Sequence, residues 1–107
     1  MKLSLETRKG AAILKISGRM IFDPTLYAIR DIVQQEIAKG VRKFIVDLSD
    51  APFVDSSGFG ELISIYTSIA RVQGSMVLVK PVERVRLLLE RIRLTEIFTI
   101  AETIPEL

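Results

Sequence analysis

The run "VRKFIVDLS", Val41 to Ser49, is β-branched and almost continuously apolar at its centre, as in a strand covered on both faces. It passes through "FVDSSGFGE", residues 53 to 61, into the helical pattern "ELISIYTSIA". A second apolar run, "MVLVK" from Met76 to Lys80, follows that helix and leads into another. Strands separated by single helices pair in parallel through right-handed crossovers. This alternation narrows the chain to an α/β fold, an open sheet with helices packed against it.

The remaining segments extend the pattern. Leu3 and Leu5 alternate with Ser4 and Glu6, and "AAILKISG" from Ala11 to Gly18 is a clearer strand, so Arg8 to Gly10 reads as a hairpin turn. "DPTLYAIRDIVQQEIAKG" is a helix with both ends written in. Asp23 caps it, Pro24 suits its first position, Leu26, Ile29, Val33 and Ile37 form its stripe, and Gly40 offers the left-handed end. A helix from about Ser57 to Val72 sets Phe59, Leu62, Ile63, Tyr66, Ile69 and Ala70 on one side and ends at Gly74. Pro81 opens a third helix with Val82, Val85, Leu88, Leu89 and Ile92 inward, and a short strand near Phe98 to Ala101 precedes a frayed tail. The predicted order is β-β-α-β-α-β-α-β over a single domain, residues 1–107. The opening hairpin makes the sheet mixed. No internal repeat, low-complexity tract or linker interrupts it.

Composition then excludes several functions. At 107 residues the chain has room for one core, and 49% hydrophobic against 26% charged residues is a globular balance. No apolar run approaches the roughly 20 residues that span a bilayer, so no membrane insertion is expected. "MKLSLETRKG" lacks a secretory apolar segment, and a soluble, cytoplasmic protein is the expectation. With neither Cys nor His, disulfides, Cys/His zinc sites and a Ser-His-Asp triad are impossible. No metal or cofactor is expected. A net charge of +2 is too balanced to single out nucleic acid or an acidic membrane as partner.

Enzyme motifs fail on inspection. "GFG" at Gly58 to Gly60 would need a glycine where Ile63 stands to become a dinucleotide fingerprint, and no phosphate loop occurs. Ser57 is no nucleophile elbow, because Asp55 stands where that motif needs glycine. The arginines of "ERVRLLLERIR" (Arg84, Arg86, Arg91 and Arg93) read as a solvated face interspersed with Glu83 and Glu90, or as a docking patch for an acidic partner.

Asp55, Ser56, Ser57 and Gly58 sit where a strand hands over to a helix, and two readings compete. Asp, Ser and Gly are common turn and N-cap residues, and one such side chain satisfies the exposed helical N–H groups. One cap needs one side chain, however, and three stand here. Sites in open α/β sheets gather outside the carboxyl ends of strands. A hydroxyl at a helix N-terminus there lies in surroundings that favour negative charge. A phosphate on Ser56 would then repel a partner lying over the turn while leaving the fold intact.

From about residue 2 to 101 the chain resembles the anti-sigma factor antagonists, bacterial regulators of transcription with the STAS fold. The likeness rests on an apolar strand ending in Asp47-Leu48, on Asp55-Ser56-Ser57-Gly58 opening a helix, and on the glycine-led strand and amphipathic helix that follow. The resemblance implies a protein that is no enzyme itself. Unphosphorylated, it binds an anti-sigma factor that is also a serine kinase and so frees a sigma factor. Phosphorylation of Ser56 releases it, and a serine phosphatase resets it. Ser57 neighbours the acceptor, and Asp55 holds the turn with Gly58. The sequence departs from the family in "GRMIFD", where Asp23 falls five residues after Gly18, so the loop before the first helix is longer or shifted.

The contact surface is expected over the turn and the outer side of the next helix, with Asp23, Phe53, Ile65 and Val72 as candidate partner-facing residues. Two alternatives differ in kind. One is a constitutive STAS subunit of a transporter, lipid-transport or stress-sensing complex without a phospho-switch. The other is a small enzyme or nucleotide-binding protein using the turn as an anion cradle.

Overall fold

The computed structural model describes residues 1–107. Lys9 and Gly10 take positive φ of 50° and 81°, the backbone of a two-residue hairpin turn whose twist matches its strands. They join β1 (Lys2–Arg8) to β2 (Ala11–Ser17) as an antiparallel pair. A single 3-10 turn, Pro24–Tyr27, comes next, capped by Asp23, whose carboxylate accepts from the Thr25 N–H. The helix α1 (Ala28–Ala38) starts only after it, four residues later than Pro24 suggests, and Gly40 ends the segment at φ +98°. Then follow β3 (Lys43–Asp50), α2 (Ser56–Arg71), β4 (Ser75–Val79), α3 (Glu83–Arg91), a short 3-10 turn at Leu94–Glu96, and β5 (Thr99–Ala101).

The strands lie side by side in chain order, and every pair after the first is parallel. The mixed α/β sheet and its element order are those the sequence predicts. Each crossover advances by one strand in the same direction, so right-handed connections carry all three helices to one face. There Ala12, Leu14 and Ile16 of β2, Phe44, Val46 and Leu48 of β3, and Met76 and Leu78 of β4 meet Ile29, Val33, Leu62, Ile65, Ile69, Val85 and Leu89 in one continuous core.

The opposite face explains why β3 is apolar throughout. Ile13, Ile45 and Val79 point away from the helices and are buried under Ile104 and Leu107 of the C-terminal segment. The tail is not frayed as the sequence suggests but covers the back of the sheet. Asp47 shares this face and is buried, its carboxylate accepting from the Ser49 N–H at 2.9 Å.

Two helical stripes keep most of their expected residues and depart from them at one edge. In α2 Phe59, Leu62 and Ile69 are buried as expected and Tyr66 packs half-buried against the core, but Gly58, Glu61 and Ile65 are buried too, while Ile63 and Ala70 are exposed. In α3 only Val85 and Leu89 are fully inward. Ile92 is 47% exposed, and Leu88 and Val82 are half-buried. A polar tie reinforces the α1–α2 contact. Glu61 is buried at 3% exposure, and Arg30 donates to both its carboxylate oxygens, from Nε at 3.1 Å and from a terminal nitrogen at 2.6 Å.

Replacing the covering side chain with a small polar one, Ile104→Ser, should uncover Ile45 and its neighbours and cost about 1 kcal/mol of stability. Denaturant unfolding measures this. An unchanged midpoint would mean that the tail does not protect the back face.

Candidate functional site

Two loops meet at the carboxyl ends of β2 and β3. Gly18 N–H donates to Asp50 O at 2.9 Å, Met20 N–H to Phe53 O at 2.9 Å, and Asp55 N–H to Met20 O at 3.1 Å. These bonds continue the parallel pairing beyond the strands, with Met20 and Val54 as an isolated bridge. The loop carrying Asp23 is thereby tied to the loop carrying the Asp-Ser-Ser-Gly turn.

The Asp55 carboxylate completes the tie. One oxygen accepts from the Gly58 N–H at 2.9 Å and caps α2, and the other accepts from the Phe22 N–H of the facing loop at 3.1 Å. The bond from Gly58 does most to hold the Asp55 carboxyl below the ordinary range. Partial burial opposes it, and the Phe22 and Ser57 N–H groups and the nearby Arg19 charge assist. Asp23 is likewise lowered, chiefly by the Thr25 hydroxyl and then by the Thr25 N–H.

Gly58 is required by space. A Cβ there would lie 2.5 Å from Met20 O and 2.7 Å from a Val54 methyl. The first turn of α2 therefore rests on the facing loop, and this contact sets the rotation of the whole helix.

With the cap supplied by Asp55, Ser56 is left free. It occupies the first position of α2, is exposed, and its hydroxyl has no hydrogen-bond partner within the chain. Ser57 is half-buried beside it. Ser56 also stands on the rim of an open apolar groove of about 460 Å³ between α2 and α3, whose floor and walls include Val54, Phe59, Ile63, Leu88, Ile92 and Leu94. On the other side of the turn, Phe22 is 73% exposed, although its N–H is fixed by Asp55.

The candidate partner-facing residues separate. Phe53 is half-buried at the turn, with the Arg19 guanidinium 5.4 Å from its ring centroid. Asp23 lies on the tied loop, one residue beyond Phe22. Ile65 does not face outward: it is 1% exposed in the core, because the Gly58 contact turns that side of α2 toward the sheet. Val72 is half-buried at the far end of α2, roughly 24 Å along the axis from Ser56, too far to share a contact with the turn. The exposed apolar residues that do lie near the turn, Phe22, Ile63 and Ile92, were missed. Helical spacing places Ile63 and Ile92 inward, and Phe22 sits in a loop without periodicity.

Gly58→Ala should cost about 1–3 kcal/mol, since a backbone carbonyl is the obstacle and cannot move aside alone. Near-native stability on unfolding would contradict the contact. Asp55→Asn tests the charge. A depressed carboxyl stabilises the fold above its unfolded value of about 3.9 and loses that contribution as pH falls through the lower folded value. The stability gap between the wild type and Asp55→Asn should thus be present at neutral pH and vanish in strong acid. A gap that is independent of pH would refute the assignment.

The STAS domain family matches residues 2–107. A Thermotoga neapolitana protein named as a candidate anti-sigma factor antagonist is 35% identical over 75 residues, which is 70% of this chain and 66% of that protein. The chain thus matches slightly less than two thirds of that relative's length. The crystal structure of a candidate anti-sigma factor antagonist from Thermotoga maritima superposes with a TM-score of 0.86 at 27% identity, over 95% of this chain and 87% of the other. The phosphorylated form of SpoIIAA, a Bacillus cell fate determinant, superposes at 0.74 with 21% identity over 95% of this chain and 92% of its own, a likeness of fold. Together with the mixed sheet and the Asp-Ser-Ser-Gly turn, the match across almost every residue shows that the chain belongs to the STAS domain family.

Proposed function

We propose that this chain is an anti-sigma factor antagonist switched by phosphorylation of Ser56. Unmodified, it binds an anti-sigma factor that is also a serine kinase, and a sigma factor goes free. Phosphorylation of Ser56 by that kinase ends the complex, and a serine phosphatase restores it. In this reading the chain performs no catalysis of its own and works in the bacterial cytoplasm. The names of its relatives support the antagonist role.

The observation that carries the switch is the division of labour at the turn. Asp55 caps the helix, so the exposed Ser56 hydroxyl has no structural duty that a modification would disturb. A phosphate there brings roughly two negative charges to the positive end of the α2 dipole, which the fold accommodates. The same charges stand beside the ionised Asp55 and on the rim of the apolar groove. A partner lying over the turn would have to bury them, which is costly without matching cations.

Incubation with ATP and the cognate kinase, followed by mass spectrometry, should locate phosphate on Ser56. Ser56→Ala should bind the anti-sigma factor as the wild type does, and Ser56→Glu should bind about tenfold or more weakly. Both variants should unfold within about 0.5 kcal/mol of the wild type. Phosphate at another residue, or equal binding by Ser56→Ala and Ser56→Glu, would reject the switch. The second result would favour a constitutive subunit.

A further inference from the structure

The arginines of α3 are not equivalent. Arg86 pairs with Glu90 at 2.7 Å and lies 3.8 Å from Glu83, so this side of the helix is internally neutralised. Val85 and Leu89 form the buried side. On the remaining side Arg84 and Arg91, exposed and without an acidic partner, bracket Leu87 and Leu88 at helical spacing. Leu88 also belongs to the groove beside Ser56, so this basic, apolar strip and the groove form one continuous surface.

We infer that α3 is the second half of the docking surface and receives an acidic amphipathic helix of the anti-sigma factor. That helix would lay apolar side chains into the groove against Leu88 and Ile92 and set its carboxylates beside Arg84 and Arg91. The occupant's charge follows from the surface. Two unpaired guanidiniums flanking apolar side chains match a helix with an apolar stripe and acidic flanks. A protein fits better than a lipid surface, because the strip leads into a walled groove and carries two free cations, with Arg93 a third just beyond the helix, fewer than the clusters that hold proteins on anionic membranes. The assignment rests on the Ser56 reading and deepens it: an acidic segment drawn to one end of the groove by arginines is repelled from the other end by phosphoserine.

The test is calorimetric titration of the full chain with the anti-sigma factor that binds it, at about 50 and about 300 mM NaCl, a range over which exposed charge pairs are progressively screened. The double variant Arg84→Glu/Arg91→Glu should bind about tenfold or more weakly at low salt and lose most of the wild-type salt dependence. The control Arg86→Gln should retain wild-type affinity. Melting curves should show both variants folded, since the substituted side chains lie outside the core. Wild-type affinity in the double variant, with Ser56→Glu still defective, overturns the α3 assignment and leaves the switch standing. Loss in the double variant with none in Ser56→Glu upholds the α3 assignment and rejects the switch. Loss of binding to phosphatidylglycerol vesicles in place of loss to the anti-sigma factor would make the strip a membrane contact and overturn the inference.

Discussion

The Asp55 carboxylate joins three parts of the molecule: the end of β3, the first turn of α2, and the loop that leads to α1. Its two oxygens take one N–H from each of the last two, Gly58 and Phe22. The backbone bonds between Met20, Phe53 and Asp55 bring the loops together, and the missing side chain at Gly58 lets the helix settle against them. From that contact follow the rotation of α2, with Gly58, Phe59, Leu62, Ile65 and Ile69 inward, and the outward Ile63 that walls the groove. A larger residue at position 58 would disturb the helix and the surface beside Ser56 together.

In the proposed switch this arrangement would separate folding from signalling. The cap and the loop tie are made by backbone groups and one carboxylate, while Ser56 projects from the same turn without contributing to either. The core lies behind it, protected on the helix side by all three helices and on the back by Ile104 and Leu107. A negative charge added at Ser56 meets helical N–H groups on the protein side and an apolar rim on the solvent side. The first tolerates it, and the second is where a docked partner would feel it.

Much of this was legible in the residues. The strand runs, the hairpin at Lys9–Gly10, the Asp23 cap and the Gly40 terminus each follow from local chemistry, and the turn stood out by composition. The facing of α2 did not follow. Phe59, Leu62, Ile63, Ile65, Tyr66 and Ile69 make that helix apolar around much of its circumference, so periodicity favours several rotations almost equally, and a tertiary contact at a glycine decides among them. The missed signal was Glu61, whose burial against Arg30 belongs to the same rotation. The covering of the back face by Ile104 and Leu107 was also unreadable, since two isolated apolar residues in a polar tail have no period. The neutral and unneutralised sides of α3 depend on Arg86 taking both glutamates, where helical spacing offers Glu90 to Arg93 as well.

Phosphate on Ser56 should leave intact the bonds that Asp55 makes. Amide hydrogen exchange on the unmodified and the stoichiometrically Ser56-phosphorylated protein, read at Phe22 and Gly58 by NMR, tests it most directly. Both amides should keep their protection, and the melting temperature should stay within about a degree or two. Loss of protection at Gly58 and Phe22 on phosphorylation would show that the charge unravels the turn, and would contradict a switch that acts on the partner alone.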